Sequence, residues 1–185
     1  MNKPSAKNLR SLMLLHQLDV VIFHWMMKRK HLDLLARVAR IISRSADGFG
    51  YPLLALGLYL FDNLNGKYFA AAMVLGFAAE RPLYWLLKNS LKRRRPAARL
   101  PGYKSFIIPS DQFSFPSGHT SGAFVIAVLL CLYFPAIAPL ALIWACLVGA
   151  SRVTLGVHFP TDTLAGAAMG STLAWAAAHL PATGL

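Results

Sequence analysis

The chain has 185 residues, of which 56% are hydrophobic and only 14% are charged. Soluble domains carry about 25% charged residues, so this composition excludes an ordinary soluble domain, and it also excludes a disordered chain. The charge is unbalanced, with 19 Lys and Arg against 7 Asp and Glu. These values predict a membrane protein that contacts anionic lipid, binds an anionic substrate, or does both. Long apolar runs without a known nucleic-acid-binding motif argue against a nucleic-acid partner.

The N-terminal part of the chain mixes apolar and polar residues. The stretch 12–27 is apolar but interrupted by polar residues such as Asp19, and it is either a weak membrane span or an interfacial helix. Residues 32–44 place apolar side chains at helical spacing between arginines. That pattern predicts an amphipathic helix lying against anionic lipid headgroups at the membrane interface. We therefore predict an N-terminal interfacial segment over 1–47 and a transmembrane domain over 48–185.

Five later segments approach the roughly 20 apolar residues with which a helix crosses a bilayer. They are residues 48–62, 68–87, 119–134, 137–150 and 161–180. Pro135 and Pro139 divide the third and fourth into a hairpin, and the last is rich in Ala and Gly, which suits close helix packing. The predicted fold is all-α: an integral-membrane helical bundle of five or six transmembrane helices, preceded by the amphipathic segment.

Three groups of polar residues stand at the ends of these spans. They are Lys88-x6-Arg95-Pro96, Pro116-Ser117-Gly118-His119 and Ser151-Arg152-x5-His158-x3-Asp162. Successive spans cross the membrane in alternate directions, so all three groups are expected on one membrane face. This holds for either orientation of the chain.

The cations in these groups predict a phosphate site. Lys88, Arg95 and Arg152 would repel one another in a partly dry site unless an anion offsets them, and carboxylates are few. A phosphate or diphosphate suits this role, because a guanidinium group binds phosphate oxygens in a bidentate manner.

The second group indicates the start of a helix that faces an anion. Ser117 is predicted to be its N-cap residue. The free N–H groups of Gly118 and His119 would then point toward the anion, and Gly118 permits close approach of the backbone to a ligand.

Two histidines and one carboxylate complete the predicted chemistry. Asp162, in the first turn of the last helix, can reach back to a ring nitrogen of His158, which would free the other nitrogen as a nucleophile. His119 is a second imidazole, available to protonate a leaving oxygen. Zinc bound by His119 and His158 is a weaker alternative because cations surround both residues. We therefore expect no metal and no cofactor.

At every position these groups match the three-part signature of the type-2 phosphatidic acid phosphatase superfamily, which the chain resembles over residues 68–180. Its short length and amphipathic N-terminus look like the small bacterial members, including undecaprenyl-diphosphate phosphatases. The resemblance implies metal-independent hydrolysis in which His158 attacks phosphorus, Asp162 orients His158, and His119 protonates the leaving group and then activates water. It also implies residues that hold the phosphoryl oxygens, namely Lys88, Arg95, Ser117, Gly118 and Arg152.

The predicted substrate is a lipid phosphate or diphosphate: undecaprenyl diphosphate, phosphatidic acid or phosphatidylglycerophosphate. A phosphotransferase with a polyprenyl diphosphate donor uses the same site, as does vanadate-dependent haloperoxidase chemistry, which the spans and small size disfavour. A non-catalytic protein that binds anionic lipid is the alternative of another class. The resemblance favours the bacterial inner membrane with the site on its periplasmic (outer) face. Residues 92–94 are basic beyond what the signature needs and are left without a role.

Overall fold

A computed structural model describes residues 6–180, with side chains from residue 13 onward. Residues 1–5 of the predicted interfacial segment and 181–185 of the predicted transmembrane domain lie outside the described residues. The described part folds into eight α-helices and one short 3₁₀ turn. They are α1 (Ala6–Met27), α2 (Leu32–Arg44), α3 (Gly50–Phe61), α4 (Asn63–Leu91), α5 (Pro96–Arg99), α6 (Gly118–Tyr133), the turn Pro135–Ile137, α7 (Ala138–Thr154) and α8 (Pro160–His179).

The observed helices correspond closely to the predicted apolar segments. No strand forms between residues 6 and 180, which agrees with the all-α prediction. The helix α2 has the predicted limits, whereas α4 extends beyond its predicted span at both ends. Pro135 interrupts the hairpin as expected, but Pro139 lies within the first turn of α7, where a missing N–H is tolerated.

The helix α6 lies at the centre of the bundle and packs against α4, α7 and α8. Its buried residues Val125 and Leu129 belong to the main apolar core. The crossing of α6 with α8 is close, because a side chain on Gly166 or Gly170 would clash with the carbonyl oxygens of Ser117 and Ser121 respectively. The small residues of the last segment therefore pack as the sequence predicted, and they hold the starts of α6 and α8 together.

The two N-terminal helices pack on this bundle in different ways, α2 through small side chains and α1 through a large aromatic one. Ala36, Ala39 and Ser43 form the buried side of α2, whereas the larger Val38 and Ile41 are exposed. On α1, Phe23 is fully buried and packs beside Phe159, with ring centroids 5.6 Å apart. The helix α2 thus presents apolar and basic residues outward, as an amphipathic surface helix would.

Large apolar side chains also cover much of the outer surface of the bundle. Exposed examples on four different helices are Leu53, Trp85, Leu140 and Leu164. Among the described residues, Pro135–Thr154 is the one helical stretch both long and apolar enough to cross a membrane by composition, and Met13–Met27, Gly50–Phe61 and Gly118–Tyr133 are apolar but shorter. Soluble monomers rarely expose so much contiguous apolar surface.

Candidate active site

The three predicted polar groups meet at one cavity of about 580 Å³. It lies where α4, α6 and α7 end or begin on the same side of the bundle. Its lining includes six of the eight predicted site residues, namely Lys88, Arg95, Gly118, His119, Arg152 and His158. The other two, Ser117 and Asp162, are fully buried behind this lining. The topology therefore brings together side chains that are up to 74 residues apart in the sequence.

Lys88, Arg95 and Arg152 converge at this cavity and are each 5 or 6% exposed. The sequence predicted that a bound anion offsets the repulsion among these three positive charges. The structure shows that Asp111 already neutralises two of the three: its carboxylate lies 2.7 Å from the Lys88 ammonium and is also paired with the Arg95 guanidinium. Excess charge therefore argues less strongly for phosphate than the sequence suggested.

Asp111 lies on the long loop between α5 and α6, which folds back over the cavity. Tyr84 also donates its hydroxyl to this carboxylate, at 2.6 Å. Partial burial acts to raise the pKa of Asp111, but the hydrogen bonds from Lys88 and Tyr84 and the nearby Arg95 charge hold it well below its usual range. Asp111 is thus an anion at neutral pH, in contact with the cations predicted to bind phosphate.

Arg152 has a different set of partners. It projects from the last turn of α7, and one terminal nitrogen donates to the Ser43 hydroxyl of α2 at 2.6 Å. Its Nε is buried and has no hydrogen-bond partner within residues 13–180. The guanidinium group that lines the cavity therefore has one donor without an acceptor.

His158 lies in the turn between α7 and α8 and is 2% exposed. Its Nδ1 is 3.7 Å from Oδ2 of Asp162, an ion-pair distance but longer than a hydrogen bond. The other nitrogen, Nε2, is 3.4 Å from the Arg95 guanidinium and faces the cavity. The structure thus places the Asp162 carboxylate next to Nδ1, the ring nitrogen that the sequence left for an orienting group, but beyond hydrogen-bond distance.

Burial lowers the pKa of His158 to about 4, and the neighbouring Arg95 and Arg152 act in the same direction. The ring is therefore neutral at physiological pH. A neutral imidazole keeps a lone pair on one nitrogen, as a nucleophile requires.

Asp162 is held in place by other donors. Its Oδ2 accepts the backbone N–H of Phe159 at 2.8 Å, and its Oδ1 accepts from the Arg93 guanidinium at 2.6 Å. The second arm of Arg93 pairs with Asp19 of α1. Asp19 is 2% exposed and also accepts the N–H of Thr161 at 2.9 Å. One arginine that had no role in the sequence analysis thus bridges two buried carboxylates beside the predicted nucleophile.

His119 is in the first turn of α6 and is partly exposed to the cavity. Its Nε2 lies 3.0 Å from Oδ1 of Asp47, on the loop between α2 and α3. This contact orients the ring toward the cavity. Asp47 lies 72 residues before His119 in the sequence, and its contact with His119 was not predicted.

Ser117 and Gly118 have contacts that the sequence could not foresee. Ser117 is at the N-cap of α6, but its hydroxyl lies 2.9 Å from Oγ1 of Thr120 and does not accept a backbone N–H. A side chain on Gly118 would clash with the ring of Tyr84. The close packing of the Tyr84 ring against the backbone therefore requires glycine at position 118. The Ser117 hydroxyl contacts the Thr120 hydroxyl in the first turn of α6.

A protein-family comparison decides which family this arrangement belongs to. The family model of the PAP2 superfamily matches residues 66–184 of this chain. The chain belongs to the PAP2 superfamily. The match includes all three polar groups that line the cavity, and it begins after α3.

Curated relatives and solved structures agree with this membership. Phosphatidylglycerophosphatase B of Bacillus subtilis is 38% identical over 112 residues, 55% of this chain and 52% of that protein. The putative undecaprenyl-diphosphatase YbjG of Escherichia coli is 30% identical over 120 residues, 64% of this chain and 60% of that protein. The chain thus matches between half and two thirds of the length of these relatives.

Two crystal structures resemble this chain in fold and, to a lesser degree, in sequence. The first transmembrane PAP2 type phosphatidylglycerolphosphate phosphatase from Bacillus subtilis superposes with a TM-score of 0.69 at 28% identity, covering 89% of this chain and 84% of that one. Aquifex aeolicus LpxE gives a TM-score of 0.74 at 28% identity, covering 86% and 94%. PAP2 membership and the likeness to a transmembrane phosphatase place this chain among membrane proteins.

Three residues that support the site fall outside the match: Ser43 and Asp47 contact the signature residues Arg152 and His119, and Asp19 contacts Arg93. All three lie on α1, α2 or the loop that follows α2. One sequence signal pointed to the two carboxylates: they belong to a set of only seven acidic residues. Within the described chain, no group of three or more His, Cys, Asp or Glu side chains is arranged to hold a metal ion.

Proposed function

We propose that this chain is an integral-membrane lipid phosphatase that removes the terminal phosphate of a lipid phosphate or diphosphate through a phosphohistidine at His158. The observation that carries the proposal is the position of His158. Its Nε2 faces a cavity that is also lined by Lys88, Arg95, Arg152 and His119. A neutral imidazole among fixed cations suits attack on a phosphoryl group, because positioning and charge stabilisation dominate phosphoryl transfer.

The first step forms a bond from Nε2 of His158 to phosphorus while the bond from phosphorus to the ester or anhydride oxygen breaks. His119 donates a proton to that leaving oxygen, which departs on the lipid. Asp162, near the opposite nitrogen of His158, stabilises the positive charge that the ring acquires. Lys88, Arg95 and Arg152 bind the equatorial phosphoryl oxygens.

The second step returns the enzyme to its starting state. His119, now neutral, takes a proton from a water molecule as that water attacks the phosphohistidine. The nitrogen–phosphorus bond breaks and inorganic phosphate is released. No metal ion takes part in either step of this proposal.

Asp111 must give way as substrate binds. Its carboxylate pairs with Lys88 and Arg95, which are the groups assigned to the phosphoryl oxygens. An incoming phosphate would replace this internal anion and take over its ion pairs. The Asp111 side chain therefore has to release Lys88 and Arg95 when the substrate enters.

The wall of the cavity away from the cations supports a lipid as substrate. It is formed by Tyr51, Met73 and Phe77, which suit a hydrocarbon chain. Relatives named for phosphatidylglycerophosphate and undecaprenyl diphosphate make these two lipids, with phosphatidic acid, the first substrates to test. We further propose that the chain resides in a bacterial inner membrane with this cavity open to the periplasmic face. Labelling of single cysteines placed at 100–110 by an impermeant reagent in intact cells tests the orientation.

Phosphate release from the three lipids, measured in detergent with a chelator present, tests the proposed function. The wild type should turn over at least one of them, and His158→Ala and His158→Gln should each lose at least about 1,000-fold in kcat. Near-normal turnover by both variants would show that His158 is not the nucleophile. Loss of activity with chelator and recovery with zinc would overturn the metal-free mechanism.

His179→Ala is the matched control. His179 is exposed near the end of α8 and contacts Trp175, far from the cavity lining. This variant should keep wild-type turnover and elute like the wild type in size-exclusion chromatography. Analysis of the products separates hydrolysis, which yields inorganic phosphate, from transfer of the phosphoryl group to a second lipid.

A further inference from the structure

A second cavity, of about 530 Å³, adjoins the first. Asp47, Ser110, His119 and Arg152 line both cavities, so a single ligand can extend from one into the other. Residues of α2 and of the loop around Ile107 form the rest of the wall. We call this second space the arginine cavity, after Arg40 and Arg44.

Positive charge distinguishes the arginine cavity. Its lining contains three guanidinium groups, from Arg40, Arg44 and Arg152, against the single carboxylate of Asp47. That carboxylate is already bound to His119. Arg40 is fixed in place, because one of its terminal nitrogens donates to the carbonyl of Phe106 at 2.8 Å.

Arg40 and Arg44 differ in their surroundings from Lys88 and Arg95 of the first cavity. Lys88 and Arg95 share Asp111. In the part of the chain that the structure describes, neither Arg40 nor Arg44 forms an ion pair with a carboxylate. They lie one helical turn apart on α2, so both guanidinium groups can reach one anion.

The proposed reaction fixes which part of a substrate would enter this space. With the reacting phosphoryl group at His158, the leaving oxygen lies at His119, and the rest of the lipid continues beyond that ring. Two routes lead on from His119. One is the apolar wall around Phe77, which suits hydrocarbon, and the other is the arginine cavity, which suits a second anion.

We propose that the arginine cavity binds a second phosphate group, carried by the leaving group of the substrate, and that Arg44 and Arg40 are its ligands. This inference rests on the proposed phosphatase activity. It makes lipids with two phosphate groups the preferred class: a diphosphate, or a phosphomonoester joined to a phosphodiester through a short polar linker. Lipids with a single phosphate engage the first cavity alone.

The test compares kcat/KM for lipids with one and with two phosphates in neutral detergent, where membrane charge makes no contribution. Phosphatidic acid is the one-phosphate probe, and phosphatidylglycerophosphate and a polyprenyl diphosphate are the two-phosphate probes. In Arg44→Gln, the loss on a two-phosphate lipid should exceed the loss on phosphatidic acid at least tenfold, since a hydrogen bond to a charged group contributes about 1.5–3 kcal/mol. Arg40→Gln should shift the ratio in the same direction.

Arg37→Gln is the matched control, because Arg37 is exposed on the same helix but does not line either cavity. It should leave the ratio as in the wild type. A selective loss on either two-phosphate lipid supports the proposal and shows which spacing of phosphates the cavity accepts.

Equal losses on all three lipids, or none, would overturn the proposal. Inhibition by inorganic phosphate provides a second arm. If Arg44→Gln weakens that inhibition equally with every substrate and leaves the substrate ratio alone, the cavity holds free phosphate and the proposal is wrong. Failure of the proposed function looks different, since the wild type would then release phosphate from none of the lipids or would tolerate His158→Gln.

Discussion

Two parts of the molecule meet at the cavity, and they contribute residues of different kinds. The motif part, residues 66–180, supplies all the cations and both histidines assigned to the reaction. The N-terminal part, residues 6–47, supplies partners for residues of the motif part: Asp19 for Arg93, Ser43 for Arg152 and Asp47 for His119. A family signature therefore marks the groups that would act on the reacting phosphoryl group, while part of their support comes from a region without signature.

The support matters most where it is buried, at Arg152 and at the two carboxylate partners of Arg93. Arg93 bridges Asp19 and Asp162, which are 2 and 0% exposed. Removing one member of a buried ion pair leaves an uncompensated charge and costs about 3–5 kcal/mol. The comparison thus predicts that residues outside the signature affect turnover, and the following changes test this from the largest effect to the smallest.

Arg93→Gln should lower kcat about 100-fold with little change in KM, because Asp162 loses the cation that positions it. Steady-state kinetics on the best lipid substrate measures this. Arg93→Lys should recover part of the loss, since one ammonium carries the charge but cannot reach both carboxylates as a guanidinium does. Arg94→Gln, at the exposed neighbouring residue, is the control. A folded Arg93→Gln enzyme with wild-type kcat would show that Arg93 does not position Asp162 for the reaction.

Asp47→Ala should lower kcat about tenfold on lipids, because His119 loses the acceptor that orients it. The effect should nearly vanish with an aryl phosphate such as p-nitrophenyl phosphate, whose leaving group departs without a proton. Comparing kcat for the two kinds of substrate separates orientation of His119 from a general loss of structure. An equal loss on both substrates would contradict the assignment.

Asp111→Asn tests the motif part itself. Removal of the internal anion should lower the inhibition constant of inorganic phosphate about fivefold. Phosphate then no longer has to replace a partly exposed ion pair, which contributes about 1 kcal/mol. The inhibition constant at neutral pH measures the change. Weaker inhibition would show instead that Asp111 positions Lys88 and Arg95 for the ligand.

The titration of His158 gives the smallest effect. Its ring should stay neutral down to about pH 4, because burial lowers its pKa to that value. The unfolded chain protonates the same ring near pH 6.5, so this residue makes folding less favourable as the pH falls from 6.5 to 4. Histidine-ring NMR signals, assigned by comparison with His158→Gln, report the pKa directly. Titration near 6.5 would mean that the ring is more solvated than the structure shows.

The sequence predicted some features better than others, for physical reasons. The limits of α2 and the convergence of Lys88, His119 and His158 follow from helical periodicity and alternating spans, which are local patterns. Asp47 could not be assigned, because its contact with His119 depends on how α2 and α3 pack against α6. The role of Arg93 was hidden for the same reason. Ser117 is at the predicted N-cap, but its hydroxyl contacts the Thr120 hydroxyl. N-cap preferences do not predict that contact.

The number of membrane spans remains a prediction of five or six. The described helix with both the length and the apolarity to cross is Pro135–Thr154. Charged residues such as Glu80 and Arg81 dilute the hydropathy of α4, although Glu80 is fully buried and paired with Arg81. Composition alone does not register such internal pairing.

The most direct test of the central claim is to trap the covalent intermediate. Wild-type protein is mixed with a lipid substrate labelled with ³²P on its terminal phosphate, denatured in base to preserve phosphohistidine, and digested for peptide mapping. The account predicts label on the peptide that contains His158, stable in base and lost in acid, and absent in His158→Gln. Label at another residue, or rapid turnover without labelled protein under single-turnover conditions, would contradict it.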